Sequence, residues 1–310
     1  MNILFFCAND TDKAIEQAFR ARLPHADFRV YPEVGQANEI DYAIVWQPPE
    51  SFFDDLTNLK AIFSIAAGVD HLLTHPHLPT HAPLVRLLDA GMGEKMAEYV
   101  LYGVLGAQRE MTAYRIHQLQ THWDYTDRNH AASDWDVGIL GLGTLGLKVA
   151  ERLRLNGYPV HGWSRTPRQH DTIHTYCGKD GLDDMMSAIK VLVCLLPLTE
   201  HTTGILNAEL LHRAAPGLFV INVARGGHLV DEDLLQALDT GQVSGALLDV
   251  TSPEPLPGNH PFWLHPKITL TPHTSAPTQA SQSVGQIVSN INRHEAGGAL
   301  SGIVDRQNGY

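Results

Sequence analysis

Arg225, Glu254 and His273 follow one another at spacings of 29 and 19 residues, each just beyond a run that reads as a buried strand. Val220-Ile221-Asn222-Val223-Ala224 precedes the arginine, Leu248-Asp249-Val250 the glutamate, and Leu270-Thr271-Pro272 the histidine. A guanidinium is a planar, bidentate partner for a carboxylate. An imidazole titrates near neutral pH and can pass a proton to a reacting atom. A carboxylate on its other nitrogen orients the ring and favours its protonated form. In an open parallel sheet, ligands bind beyond the carboxyl ends of the strands. Each residue alone is an ordinary strand-end polar group; in this order they read as an anion clamp and an acid–base pair.

A second constellation lies upstream. The apolar run Val137–Leu140 leads into Gly141-Leu142-Gly143-Thr144-Leu145-Gly146, the G-x-G-x-x-G spacing of a dinucleotide-binding turn. Gly141 permits the tight turn, Gly143 lets backbone approach a pyrophosphate, and Gly146 lets the following helix pack on its strand. That helix (Leu145, Val149, Leu153) offers its free N–H groups and dipole to the phosphates. The next strand, Pro159–Trp163, ends in Ser164, Arg165 and Thr166, with Arg168 beyond. An NAD site places Asp or Glu there for the ribose 2′-OH. A hydroxyl and two guanidiniums instead suit a 2′-phosphate, so NADP(H) is expected as the preferred cofactor and NAD(H) as a weaker alternative.

These residues need elements to position them. The chain has 310 residues, 44% of them hydrophobic, enough for two domains with substantial cores. Strands are expected at Asn2–Phe6, Phe28–Tyr31, Tyr42–Trp46, Ala61–Ile65 and Leu84–Arg86, with a helix over Asp12–Leu23 capped by Asp10 or Thr11. A long helical pattern from Met92 to about Gln120 suits a connector between two α/β units. Later strands are expected at Val191–Leu196, Leu218–Val223, Gly245–Val250 and Ile268–Thr271. Helices fit Asn207–Ala214, Asp231–Thr240 (Asp231 as N-cap, Gly241 as stop) and Thr278–Gly297. Strand–helix alternation implies parallel sheets covered by helices.

Composition excludes several classes. A net charge of −12 argues against nucleic-acid binding. No apolar run is long enough for a membrane span, and Met1–Ala8 reads as a first buried strand rather than a leader. Of three scattered cysteines, Cys7, Cys177 and Cys194, the first and last sit in apolar runs as core thiols, and the set fits a cytoplasmic protein. His71, His75, His77 and His81 cluster, but Pro76, Pro79 and Pro83 break any helical ligand face, so a polar loop is expected there and no metal site.

Over nearly its whole length the chain resembles the D-isomer-specific 2-hydroxyacid dehydrogenases. The resemblance rests on the glycine turn, Leu195-Leu196-Pro197-Leu198-Thr199 with Thr202-Thr203-Gly204-Ile205, Asn222-Val223-Ala224-Arg225-Gly226, Glu254-Pro255-Leu256 and Thr271-Pro272-His273. Trp46-Gln47-Pro48-Pro49 and Gly91-Met92-Gly93-Glu94 are similar to the glyoxylate/hydroxypyruvate reductase A branch. It implies two Rossmann-like or flavodoxin-like parallel-sheet domains with the active site in the cleft between them. Residues 1–98 and 280–310 would form the substrate domain and 99–279 the NAD(P) domain, usually as a homodimer through the latter.

The implied reaction is reduction of a small 2-keto acid to the D-2-hydroxy acid, with His273 as proton donor, Glu254 orienting it and Arg225 binding the substrate. Thr144, Leu145, Leu196, Thr202, Val223 and Ala224 would join the glycines at the cofactor, Pro197 would lie near the nicotinamide ring, and Asp249 would hold its carboxamide. Backbone N–H groups of Ala67, Gly68 and Val69 would take the substrate carboxylate, with Trp46 as a pocket wall. The alternative is a nucleotide-sensing interaction protein of the corepressor type with little turnover, against which the intact trio counts. Formate dehydrogenase shares this fold type, but its reaction needs no acid–base pair.

Overall fold

The computed structural model describes residues 1–8, 12–125 and 130–310, with only the backbone of Asp12. The Asp10 and Thr11 caps expected for the first helix lie outside these residues. The chain divides into two compact units, Met1–Gly91 with Thr278–Tyr310, and Met92–Pro277.

The first unit carries β1 (Asn2–Cys7), α1 (Asp12–Arg22), β2 (Asp27–Val30), β3 (Tyr42–Trp46), β4 (Ala61–Ser64), α2 (Asp70–Leu73) and β5 (Leu84–Val85). Its five strands are all parallel in the order β2-β1-β3-β4-β5, the flavodoxin-like arrangement. One face buries Leu4, Ala43, Val45, Ile62 and Leu84 beneath Val69 and Leu72. Against α1, Phe5, Phe19 and Phe28 stack at 5.6–6.0 Å between centroids.

The second unit contains α3 (Met92–Gln108), α4 (Met111–Leu119), β6 (Val137–Leu140), α5 (Thr144–Leu155), β7 (Val160–Ser164), β8 (His174–Cys177), α6 (Gly178–Ala188), β9 (Val191–Cys194), α7 (Ala208–Leu211), β10 (Leu218–Asn222), α8 (Asp231–Thr240), β11 (Val243–Leu248) and β12 (Ile268–Leu270). The seven parallel strands run β12-β11-β10-β9-β6-β7-β8. The order reverses between β6 and β9, the switch point at which a Rossmann sheet opens its crevice. The expected fold class of two parallel-sheet α/β units holds. The final helix, α9 (Ala280–Glu295), belongs to the first unit, where the Tyr42 hydroxyl meets His294 Nδ1 at 2.8 Å and donates to Glu295 Oε1 at 2.7 Å.

Three details depart from expectation. The helix over residues 92–120 breaks at Glu110, whose φ of 49° is left-handed, because α3 buries Met96, Val100 and Val104 while α4 buries nothing. Asp231 lies inside the first turn of α8 with Val230 at the cap, so it serves the helix dipole rather than capping; Gly241 does end the helix in the left-handed region. The helix from Asn207 is regular only over α7, with Asn207 capping it by accepting from the Leu210 N–H at 3.0 Å.

Candidate active site

The glycine turn leaves β6 at the switch point. Gly141 has φ of 102°, closed to most side chains, and a Cβ there would stand 2.8 Å from Leu195 O. A Cβ on Gly146 would fall 1.9 Å from Gly141 O, so only glycine lets α5 seat this closely. Nothing lies within 4 Å of the Gly143 Cβ position, and Gly143 and Thr144 are exposed. The first N–H groups of α5 therefore face open space at the positive end of the helix, as a pyrophosphate requires.

At the end of β7 no carboxylate is present. The buried Ser164 donates its hydroxyl to Thr166 O at 2.8 Å and keeps acceptor capacity. Arg168 donates from Nη1 to Leu142 O at 2.8 Å, which draws its guanidinium to the glycine turn, while Arg165 is exposed. On the loop after β9, Thr202 Oγ1 donates to Pro197 O at 2.7 Å and accepts from the Thr199 N–H at 2.8 Å, fixing the segment that also carries Leu196.

Glu254 and His273 converge. His273 Nδ1 donates to Glu254 Oε2 at 2.9 Å, and Glu254 Oε1 accepts from the Thr251 N–H at 3.0 Å. Burial pushes the Glu254 carboxyl up. The His273 and Thr251 hydrogen bonds and the charges of His273 and Arg225 outweigh it, so the group titrates below its usual value. Glu254 is thus ionised at neutral pH, and Nε2 is the imidazole nitrogen left for a substrate. Arg225 follows β10 with Nη1 on Ala224 O at 2.8 Å, and buried Asn222 ties the loop by accepting from the Ala224 N–H and donating to Arg225 O. A Cβ on Gly226 would overlap Thr251, so this loop, with Val223 and Ala224, lies directly against the one that carries Glu254.

Asp249 is only 1% exposed, and its oxygens accept from Thr271 Oγ1 (2.6 Å), the Thr274 N–H (2.8 Å) and the Ser275 N–H (2.9 Å). Its carbonyl accepts from the His273 N–H at 2.8 Å. These bonds shape the turn that holds His273 at φ of 55°, leaving about one of the carboxylate's four acceptor sites. Tyr99, on α3, meets Thr271 Oγ1 at 2.5 Å from its hydroxyl, and burial pushes that phenol up to about 12.

Sequence reasoning missed this Tyr99–Thr271–Asp249 chain, and it missed buried His228, whose ring nitrogens lie 3.0 Å from Arg225 O and 3.3 Å from Pro197 O. Only the polar character of a residue inside an apolar run (Asp249) hinted at any of it.

In the first unit, the Ile65–Val69 segment turns off β4 into α2. The Val69 carbonyl accepts from Leu72 and Leu73, and Ala66 donates to Ser64 Oγ at 3.2 Å. Among the described residues no acceptor lies on the N–H groups of Ala67, Gly68 or Val69. Trp46 ends β3 half-buried, its ring 4.4 Å from that of His71 at 66°. His75 meets Pro49 O and His77 meets Asp54.

Residues 101–275 match the family model for the NAD-binding domain of D-isomer specific 2-hydroxyacid dehydrogenases. The chain belongs to this family. The dehydrogenase is 41% identical, over all of both chains, to glyoxylate/hydroxypyruvate reductase A of Yersinia enterocolitica. It also resembles, across its whole length and 99% of the other chain, a D-isomer specific 2-hydroxyacid dehydrogenase of Xanthobacter autotrophicus solved with NADPH and MES (36% identity, TM-score 0.94). An NADPH-dependent glyoxylate/hydroxypyruvate reductase of Sinorhizobium meliloti, solved with NADP and sulfate, aligns over the same shares at 34% identity and a TM-score of 0.93. The glycine turn, the His273–Glu254 pair and Arg225 all lie inside the span matched by the family model.

Proposed function

We propose that this dehydrogenase uses NADPH to reduce a small 2-keto acid, glyoxylate or hydroxypyruvate, to the D-2-hydroxy acid. The observation that carries the reading is the 2.9 Å His273–Glu254 pair at the ligand-binding edge of a dinucleotide fold. The reductases of Yersinia and Sinorhizobium named above support the substrate class.

NADPH would lie with its pyrophosphate at Gly143, Thr144 and Leu145 and its 2′-phosphate at Ser164, Arg165 and Arg168. Leu196, Pro197, Thr202, Val223 and Ala224 would line its path, and the remaining acceptor site of Asp249 would face the carboxamide. Bound there, it supplies a hydride to the keto carbon. Arg225 holds the substrate carboxylate and polarises the carbonyl. His273 gives the Nε2 proton to the carbonyl oxygen as that oxygen becomes negative, and Glu254 steadies the charged ring. The N–H groups of Ala67, Gly68 and Val69 bind the carboxylate, and Trp46 bounds the substrate.

The cofactor half is tested by Ser164→Asp combined with Arg165→Ala and Arg168→Ala. Removing two charge-assisted contacts and adding a repelling carboxylate should lower kcat/KM with NADPH by about 100-fold or more while leaving NADH turnover within a few-fold. An unchanged preference would refute the assignment of the β7 end.

The protein is proposed to act as a homodimer through its second unit, in a cytoplasmic setting. Tyr102 and Leu105 on α3, Met111 on α4, and Trp123 and Tyr125 beyond α4 (91% and 93% exposed) are exposed large apolar residues, and α4 buries nothing. Light scattering should give twice the chain mass, and Leu105→Glu with Trp123→Glu should give a monomer; a wild-type monomer refutes the proposal.

A further inference from the structure

Arg86 follows β5, whose residues Leu84 and Val85 lie opposite Ile62 and Phe63 of β4, and the adjacent Leu87 N–H donates to Ala66 O at 3.0 Å. That register sets Arg86 level with Ser64, just short of the Ala67–Val69 turn. Side chains alternate along a strand, so Arg86 shares the face of Leu84 and Ile62. Val69 and Leu72 pack on that same face. The turn and the arginine therefore leave the sheet on one side.

The backbone of Arg86 is tied by its N–H to Gly302 O at 2.9 Å. Its side chain is half-buried, yet no acceptor or carboxylate meets the guanidinium among the described residues. The other half-buried arginines of this unit are held. Arg29 pairs with Asp27 and Glu39, and Arg306 donates to Pro79 O and Ala82 O. Burial lowers the pKa of Arg86 with no nearby acid opposing it. A partly desolvated guanidinium without a partner is costly unless an anion satisfies it. Three unused N–H groups stand at the next strand end.

We propose that Arg86 is a further substrate-binding residue, forming with the N–H groups of Ala67, Gly68 and Val69 an anion subsite for the carboxylate of the keto acid. The inference rests on the proposed reductase reading and adds a second positive charge to a carboxylate site otherwise built from Arg225 and backbone dipoles. A carboxylate has about four acceptor positions, which Arg225, Arg86 and the turn would share at one or two donors each. The subsite then selects small carboxylates and rejects their uncharged amides and esters.

The test compares wild type, Arg86→Met and Arg86→Lys in two measurements. These are KM for glyoxylate with saturating NADPH, and calorimetric binding of oxalate in the presence of NADP. Arg86→Met keeps most of the packing of the stem and should raise both constants about 10- to 100-fold while leaving KM for NADPH unchanged. Arg86→Lys, which keeps the charge without the fork, should fall between. A folded Arg86→Met with both constants within twofold of wild type overturns the inference. If that variant does not fold, Arg86→Lys decides by the same constants, and values equal to wild type overturn it. A wild type that binds oxalate but does not reduce glyoxylate contradicts the reductase reading, whereas loss of that oxalate binding in Arg86→Met still supports the subsite.

Discussion

His273→Gln is expected to lower kcat for glyoxylate reduction by roughly 10²- to 10⁴-fold, the usual contribution of a placed proton donor, while KM for NADPH stays near wild type. The glutamine amide can still reach Glu254 but cannot release a proton to an oxygen that is gaining charge. The structure offers no substitute at that position: Glu254 is held ionised by its His273 and Thr251 bonds, and His228 is buried between two carbonyls.

The same geometry sets a pH dependence. The folded Glu254 titrates below a free carboxyl. The stability its pairing gives is therefore present above the free value and is lost as the pH falls through the lowered one. Across the neutral range the carboxylate stays charged and accepts from the imidazole Nδ1 at 2.9 Å. Reduction needs a proton from that ring, so Glu254→Gln, which removes its anionic partner, should lower the plateau of kcat/KM. A His273→Gln enzyme with wild-type turnover, or a Glu254→Gln profile superimposable on wild type, would remove the acid–base pair from the reaction.

Arg225→Lys is expected to lower kcat/KM for the keto acid by roughly 10²- to 10³-fold, with both kcat and KM affected. Lysine keeps the charge but not the fork, and a bidentate site does not tolerate that exchange. In this fold the fork is pre-aimed, since Nη1 is anchored on Ala224 O and the loop beneath it is pinned by Asn222. The substitution should leave NADPH binding, measured by fluorescence, unchanged. If Arg225→Lys retains full kcat/KM, a bidentate clamp is not what binds the keto acid.

Much of this was legible in the residues. All strands but β8 announced themselves as short apolar runs because both faces of a parallel sheet are covered. The glycine turn was legible for a different reason: a position with φ of 102° and one with 1.9 Å of clearance restrict the residue to glycine, and the spacing records it. The break at Glu110 carried no such mark, since neither Arg109 nor Glu110 is a helix breaker by type. Tertiary packing of α3 decides where it ends. The edge strand β8 was invisible because His174-Thr175-Tyr176-Cys177 contains no buried residue and so no alternation to read.

The candidate site divided in the same way. Arg225, Glu254 and His273 each followed a recognisable strand, so their order could be read directly. What holds them could not. The hydroxyls of Tyr99 and Thr271 meet across 172 residues of sequence. That contact has no local signature, because it depends on how α3 packs on the sheet.

The most direct measurement is the initial rate with glyoxylate and with hydroxypyruvate, each assayed with NADPH and with NADH, together with the handedness of the hydroxypyruvate product. The account predicts turnover of both acids, kcat/KM at least about tenfold higher with NADPH, a preference worth some 1.4 kcal/mol, and the D-hydroxy acid as product. Absence of turnover with either cofactor, a preference for NADH, or an L-product would contradict it.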